Sequence, residues 1–202
     1  MNAFTRPRNL RAAPFGQLIR QAAVRDDADS ARELIGKSAT DVDARDEYGN
    51  TALHHAAAMG SVAVAEVLLA AAAEPDAVNN VGQTPLHVAA TVGRADVANL
   101  LLASGANSCA EDDIGWTPLH RAAAANSVSV VEILLRYGAA ANGRAADGST
   151  PLHCACSRPG DRVDLVAALF AGGADLRNVD NLGRTPVQVL HPRASVVVAG
   201  VV

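Results

Sequence analysis

Aromatic residues are scarce: 3% of the 202-residue sequence, with one Trp, two Tyr and three Phe. A core must therefore be built from small aliphatic side chains. Lysine occurs once, at Lys37, and the formal net charge is −4 with a pI near 5.8. That balance argues against a dedicated nucleic-acid binder, which carries a basic face. The three cysteines, Cys109, Cys154 and Cys156, are too few and odd in number for a disulfide framework. Free thiols fit a reducing compartment, so a cytoplasmic or nuclear location is expected. No apolar run reaches the roughly 20 residues that a membrane-spanning helix needs, and no secretory h-region is present. Arg6, Arg8, Arg11, Arg20 and Arg25 precede the first acid. Such a composition suits a mitochondrial presequence, but residues 18–25 are needed for a capping helix, which leaves only 1–17 as a leader.

What is abundant is alanine, 43 residues in a chain that is 50% hydrophobic. Alanine is the best helix former, and its small volume lets helices pack closely. The decisive feature is internal repetition. Thr51-Ala52-Leu53-His54 returns as Thr84-Pro85-Leu86-His87, Thr117-Pro118-Leu119-His120 and Thr150-Pro151-Leu152-His153, with a degraded copy at Thr185-Pro186-Val187-Gln188. A glycine stands two residues before each threonine: Gly49, Gly82, Gly115, Gly148 and Gly183. Glycine permits a tight turn with positive φ. Threonine suits a helix N-cap, and proline suits the first helical position, where its missing N–H does no harm. A short first helix follows, then a second whose Val97, Leu100 and Leu101 share a face and which Gly105 stops in the C′ position. Two short helices cannot bury their apolar face alone, so such units stack into arrays.

On these residues the chain resembles the ankyrin repeat family, over roughly 46–190. The resemblance implies an all-α solenoid of helix-turn-helix units with β-turn or hairpin tips. The expected organisation is a flexible Arg-containing leader at 1–17 and a divergent N-terminal capping repeat at 18–45. Repeats follow at 46–78, 79–111, 112–144 and 145–178, then a partial C-terminal repeat and apolar tail at 179–202. The 145–178 unit carries two extra residues near Arg158-Pro159-Gly160, which predicts a protruding loop. The 46–78 unit has Ala72 in place of the helix-stopping glycine, so its second helix is expected to end later or more loosely. Pro192 interrupts the last unit. The tail Val196–Val202 either folds back over the terminal repeat or marks the chain as part of something longer.

No nucleophile–base, zinc-protease or phosphate-loop signature is present, so no catalysis is expected. His54, His87, His120 and His153 should line up along the stack. Neighbouring helices about 8–10 Å apart hold imidazoles too far apart to share a metal ion. In the family this histidine bonds to the nearby threonine and to backbone between repeats. Cys154 and Cys156, two apart on a helix, do not face each other; Cys154 is expected to be partly exposed. No metal or other cofactor is expected.

Interest therefore falls on positions that the repeat leaves free. The resemblance implies a concave, protein-binding surface made of turn tips and the outward faces of first helices. The tips offer Tyr48 and Asn50, Val81 and Gln83, Ile114 and Trp116, Asp147 and Ser149, and Leu182 and Arg184. The helices offer His55, Met59, Val88, Thr91, Arg121, Cys154 and Arg158. Trp116 is an expected anchor, because aromatic and Arg side chains dominate binding hot spots, and Arg121 is placed to bond a partner carboxylate. The expected function is a non-catalytic, monomeric module binding another protein, and neither nucleic acid nor membrane. A regulatory or assembly-chaperone subunit, resembling kinase inhibitors or proteasome chaperones of the family, is the alternative. Its clue is the acid-only 46–78 unit (Asp46, Glu47, Glu66, Glu74, Asp76). A targeting part of a longer multidomain protein is a third.

Overall fold

A computed structural model of the chain describes residues 12–37, 41–190 and 194–195. Among these residues ten helices come in pairs: α1 (Ala12–Arg25) and α2 (Ala28–Lys37), α3 (Ala52–Met59) and α4 (Val62–Ala70), α5 (Pro85–Val92) and α6 (Ala95–Ala103), α7 (Pro118–Ala125) and α8 (Val128–Arg136), α9 (Pro151–Cys156) and α10 (Val163–Ala171). A 3₁₀ turn, Pro186–Val189, stands where an eleventh helix would begin. The odd-numbered helices pack on one another in sequence and end against the 3₁₀ turn, while the even-numbered helices form a parallel second row. The architecture is an all-α stack of helical hairpins.

The core is a leucine and alanine column. Leu53, Leu86, Leu119 and Leu152 hold one position in four successive units and are fully buried, as are Leu68, Leu101, Leu134 and Leu169 from the second row. Each contributes roughly 1.5–3 kcal/mol by leaving water. Alanines between them (Ala56, Ala57, Ala89, Ala90, Ala122, Ala123) are also fully buried and let the helices close up.

The threonine and histidine of the repeated tetrapeptide close each first helix. In each capping box the histidine Nδ1 accepts the N-cap Thr N–H, at 3.1 Å for Thr51–His54 and 3.2 Å for Thr84–His87. The other ring nitrogen donates to a carbonyl of the following unit: His54 to Gln83, His87 to Trp116, His120 to Ser149 and His153 to Arg184, at 2.8–3.1 Å. Both nitrogens are thus occupied in neutral imidazoles that tie one repeat to the next. Burial pushes His54 down to about 4 and also lowers His87 and His120.

Two local expectations are corrected. The first helix begins at Ala12, because Phe15 and Ile19 are buried in the core; residues 12–17 are helical rather than a flexible leader. The helix before Ala72 ends where its counterparts do. Ala72 adopts φ +60°, the left-handed conformation of Gly105, Gly138 and Gly173 at the same point. Ala73 N–H then bonds Leu68 O and Ala72 N–H bonds Leu69 O, the Schellman pattern. The closure is the one the glycine-bearing units make, achieved with a strained residue. In the inserted loop, α9 is shortened and residues 157–161 are exposed, but Arg162 beneath them is buried and donates to Ala123 O, Ala124 O and Pro159 O. Gly160–Asp161 also pairs in parallel with Ala194–Ser195. Pro192 and the Val196–Val202 tail lie outside the described residues.

Candidate interaction surface

The tips form a continuous backbone rail. Each is a tight turn closed by a backbone bond across four residues, such as Asp46 N–H to Asn50 O and Asp112 N–H to Trp116 O, both 3.0 Å. Each then bonds its neighbour: Asn80 N–H to Tyr48 O, Asp113 N–H to Val81 O, Ala146 N–H to Ile114 O and Asn181 N–H to Asp147 O, at 2.9–3.3 Å. The approach is close enough to demand glycine. A Cβ on Gly49, Gly82 or Gly115 would lie 2.7 Å from the next tip's backbone nitrogen.

An acidic or amide side chain organises four of the five turns. Asp46 Oδ1 accepts the N–H of Tyr48 and Asn50, Asn79 those of Val81 and Gln83, Asp112 those of Ile114 and Trp116, and Asp180 those of Leu182 and Arg184. Sequence reasoning gave none of these residues that role. Their signal was there: each stands three before the landmark glycine, and only Ala145 breaks the series.

With the backbone satisfied internally, the side chains at the outermost turn position face solvent. Tyr48, Val81, Ile114 and Leu182 are 66, 53, 52 and 75% exposed, with Asp147 as the fourth member between Ile114 and Leu182. On the neighbouring helix faces Met59, Thr91 and Arg158 are exposed. Thr91 Oγ donates to His87 O within its own helix. Val92, 48% exposed at the position equivalent to Met59, extends the apolar surface and was not anticipated.

Other expected contact residues are engaged within the chain. Asn50 Oδ1 accepts from Asn79 Nδ2. His55 Nε2 meets Asp46 Oδ2 at 2.9 Å; burial works against the Asp46 carboxylate, but bonds from His55 and the turn amides hold it below its ordinary range. Gln83 is half-buried, its carbonyl accepting from His54. Arg184 clamps Asp180, drawing that carboxyl down to about 2. Arg121 is not free for a partner carboxylate: its Nε lies 3.1 Å from Oδ2 of Asp112, whose side chain is fully buried, and its guanidinium sits 4.9 Å from the Trp116 ring centroid. Trp116 is half-buried and stacks on His120 at 6.2 Å. Cys154 is buried rather than partly exposed, because α9 turns it toward the packed side. Burial pushes its thiol up to about 12 and that of Cys156 to about 11, so neither is a thiolate at neutral pH. Two of the acids of 46–78 are spent within the chain. Asp46 turns inward to His55, and Asp76 accepts the Asn107 N–H of the next unit.

No group of three or more potential metal ligands is found among the described residues, and none of their helices is long and apolar enough to cross a membrane. The family model described as ankyrin repeats (3 copies) matches residues 18–112 and 104–180. The chain belongs to the ankyrin repeat family. No curated protein matches it at a significant level. Ankyrin repeats are generally protein–protein interaction modules, typically without catalytic activity. Here the ankyrin tips present an exposed apolar row that the stack itself does not use.

Proposed function

We propose that the protein is a non-catalytic, monomeric binding module that holds a partner protein across its tips and concave helix face, in a reducing compartment such as the cytoplasm or nucleus. The observation that carries this reading is the row Tyr48, Val81 and Ile114, exposed on a rail whose every tip is hydrogen-bonded to the next. Exposed apolar side chains on a prebuilt frame lose little ordering entropy on binding.

Trp116 carries packing within the stack, so its truncation mixes stability with recognition. The cleaner test replaces Tyr48, Val81 and Ile114 together by Ser. Affinity purification with mass spectrometry, comparing this variant with the intact chain, should lose the specific partner while thermal melting is preserved. An unchanged set of captured proteins refutes the tip row as the binding surface.

A further inference from the structure

Between the tips of the last two units the surface dips into a cavity of about 300 Å³, walled by Trp116, Asp147, Ser149, Cys154, Asp180 and Arg184. Its charges are not all spent. Asp180 is held by Arg184 at 2.7 Å, and Arg121, stacked on Trp116, is held by Asp112. Asp147 accepts the Ser149 N–H at 2.9 Å, and the neighbouring Ser149 hydroxyl helps hold its carboxyl below the ordinary range, but it has no cationic partner. The Ser149 hydroxyl, more than nine-tenths buried beside that carboxylate, makes no well-formed hydrogen bond. The cavity thus offers a carboxylate with no cationic partner, a buried hydroxyl beside it with lone pairs to spare, and an aromatic wall, with one net negative charge among its walls. Such a set matches a single ammonium or guanidinium group.

The surroundings extend the match. Asp147 sits in the tip row between Ile114 and Leu182, which are 52 and 75% exposed. Consecutive units stack about 10 Å apart, and an extended chain advances about 3.3–3.6 Å per residue. Successive tips therefore meet every third residue of an extended strand. Exposed Arg158, near Cys154 and without a carboxylate partner, disfavours a polybasic segment and keeps the preference to one cation.

Resting on the binding-module reading above, we infer that the partner is engaged through an extended segment that places one Arg or Lys in the cavity at Asp147, with apolar residues about three positions to either side over Ile114 and Leu182.

Selection of displayed random peptides on the whole chain tests this. Enriched peptides should carry an Arg or Lys with apolar residues at that interval. Their affinity should fall about tenfold or more on Asp147→Asn, a variant that keeps the acceptor for the Ser149 N–H and should melt as the parent does. Raising the salt should weaken binding to the parent chain, a readout that needs no variant. Enriched peptides without Arg or Lys, or with equal affinity for Asp147→Asn and no salt dependence, overturn the cation site. If those same peptides lose affinity when Ile114 and Leu182 are replaced by Ser, the tip-row reading survives alone. If no peptide is enriched, or binding ignores both sets of changes, both inferences fall.

Discussion

Replacing Ala72 by Gly should stabilise the protein, against the general rule that glycine weakens a helical structure. Ala72 holds φ +60°, whereas Gly105, Gly138 and Gly173 hold φ +92°, +81° and +90° at the same point of their units. A side chain in left-handed backbone costs roughly 1–2 kcal/mol. Glycine removes that cost but loses about 0.4–1 kcal/mol through its freer unfolded chain. The balance is a gain of about 0.5–1 kcal/mol, or roughly 1–4 °C in melting temperature for a chain of this size. Gly105→Ala is the mirror experiment. A Cβ there meets nothing within 4 Å, so only backbone strain is added and a comparable loss should follow. Urea and thermal melts followed by far-ultraviolet circular dichroism measure both. Should Ala72→Gly destabilise while Gly105→Ala is neutral, the helix ends are not governed by backbone strain and the reasoning fails.

Three further outcomes are expected. Because His54 titrates at about 4 when folded against 6.5 when free, the unfolded chain binds a proton that the folded one refuses between those values. Stability is complete above pH 6.5 and falls on acidification toward pH 4, by about 3 kcal/mol for this residue, with His87 and His120 adding in the same direction; urea midpoints measured across that range should show the slope, and a flat profile contradicts the neutral ladder. Cys109 alone is exposed while Cys154 and Cys156 are buried, so a thiol reagent should titrate one group in the native protein and three after denaturation; rapid native reaction of all three would refute that burial. Asp112→Ala should cost about 2–4 kcal/mol, since it strips two turn amides and Arg121 of their acceptor; Asn79→Ala, at the equivalent turn without an ion pair, should cost less in the same melts.

The stack was legible in the sequence because its cause is periodic. Thr, Pro, Leu, His and Gly recur where a cap, a helix start, a core contact and a turn each need one residue type. The histidine ties follow from the same periodicity, since a residue repeated at 33-residue intervals meets its own environment in every unit. Ala72 was misjudged because the helix terminus was assigned to the glycine. The terminus is fixed by the Leu68–Ala73 and Leu69–Ala72 hydrogen bonds and by burial of Leu68 and Ala73, and these hold even when the residue between must take an unfavourable φ. Arg121 was misjudged for a related reason. Its partner, Asp112, lies nine residues earlier on the preceding tip, a separation that belongs to neither helix nor strand periodicity and becomes close only when the tip folds over the helix.

If the tips bind the partner as proposed, structure and recognition are separated in this molecule by atom type. The rail between tips uses backbone N–H and C=O groups, and the turns beneath it use Asp46, Asn79, Asp112 and Asp180. The outermost side chains, Asp147 with its bond from the Ser149 N–H aside, therefore do none of the holding, and substitution there costs the stack little. That freedom is why Tyr48, Val81, Ile114, Asp147 and Leu182 differ from one another while the glycine after each is the same. The rail fixes the interval at which side chains are presented, and on the proposed reading the sequence of the five outermost residues decides what each interval accepts. An acid placed among four apolar neighbours then discriminates more sharply than any of them, because an apolar tip accepts many side chains, whereas a carboxylate desolvated against an uncharged one loses its hydration without return.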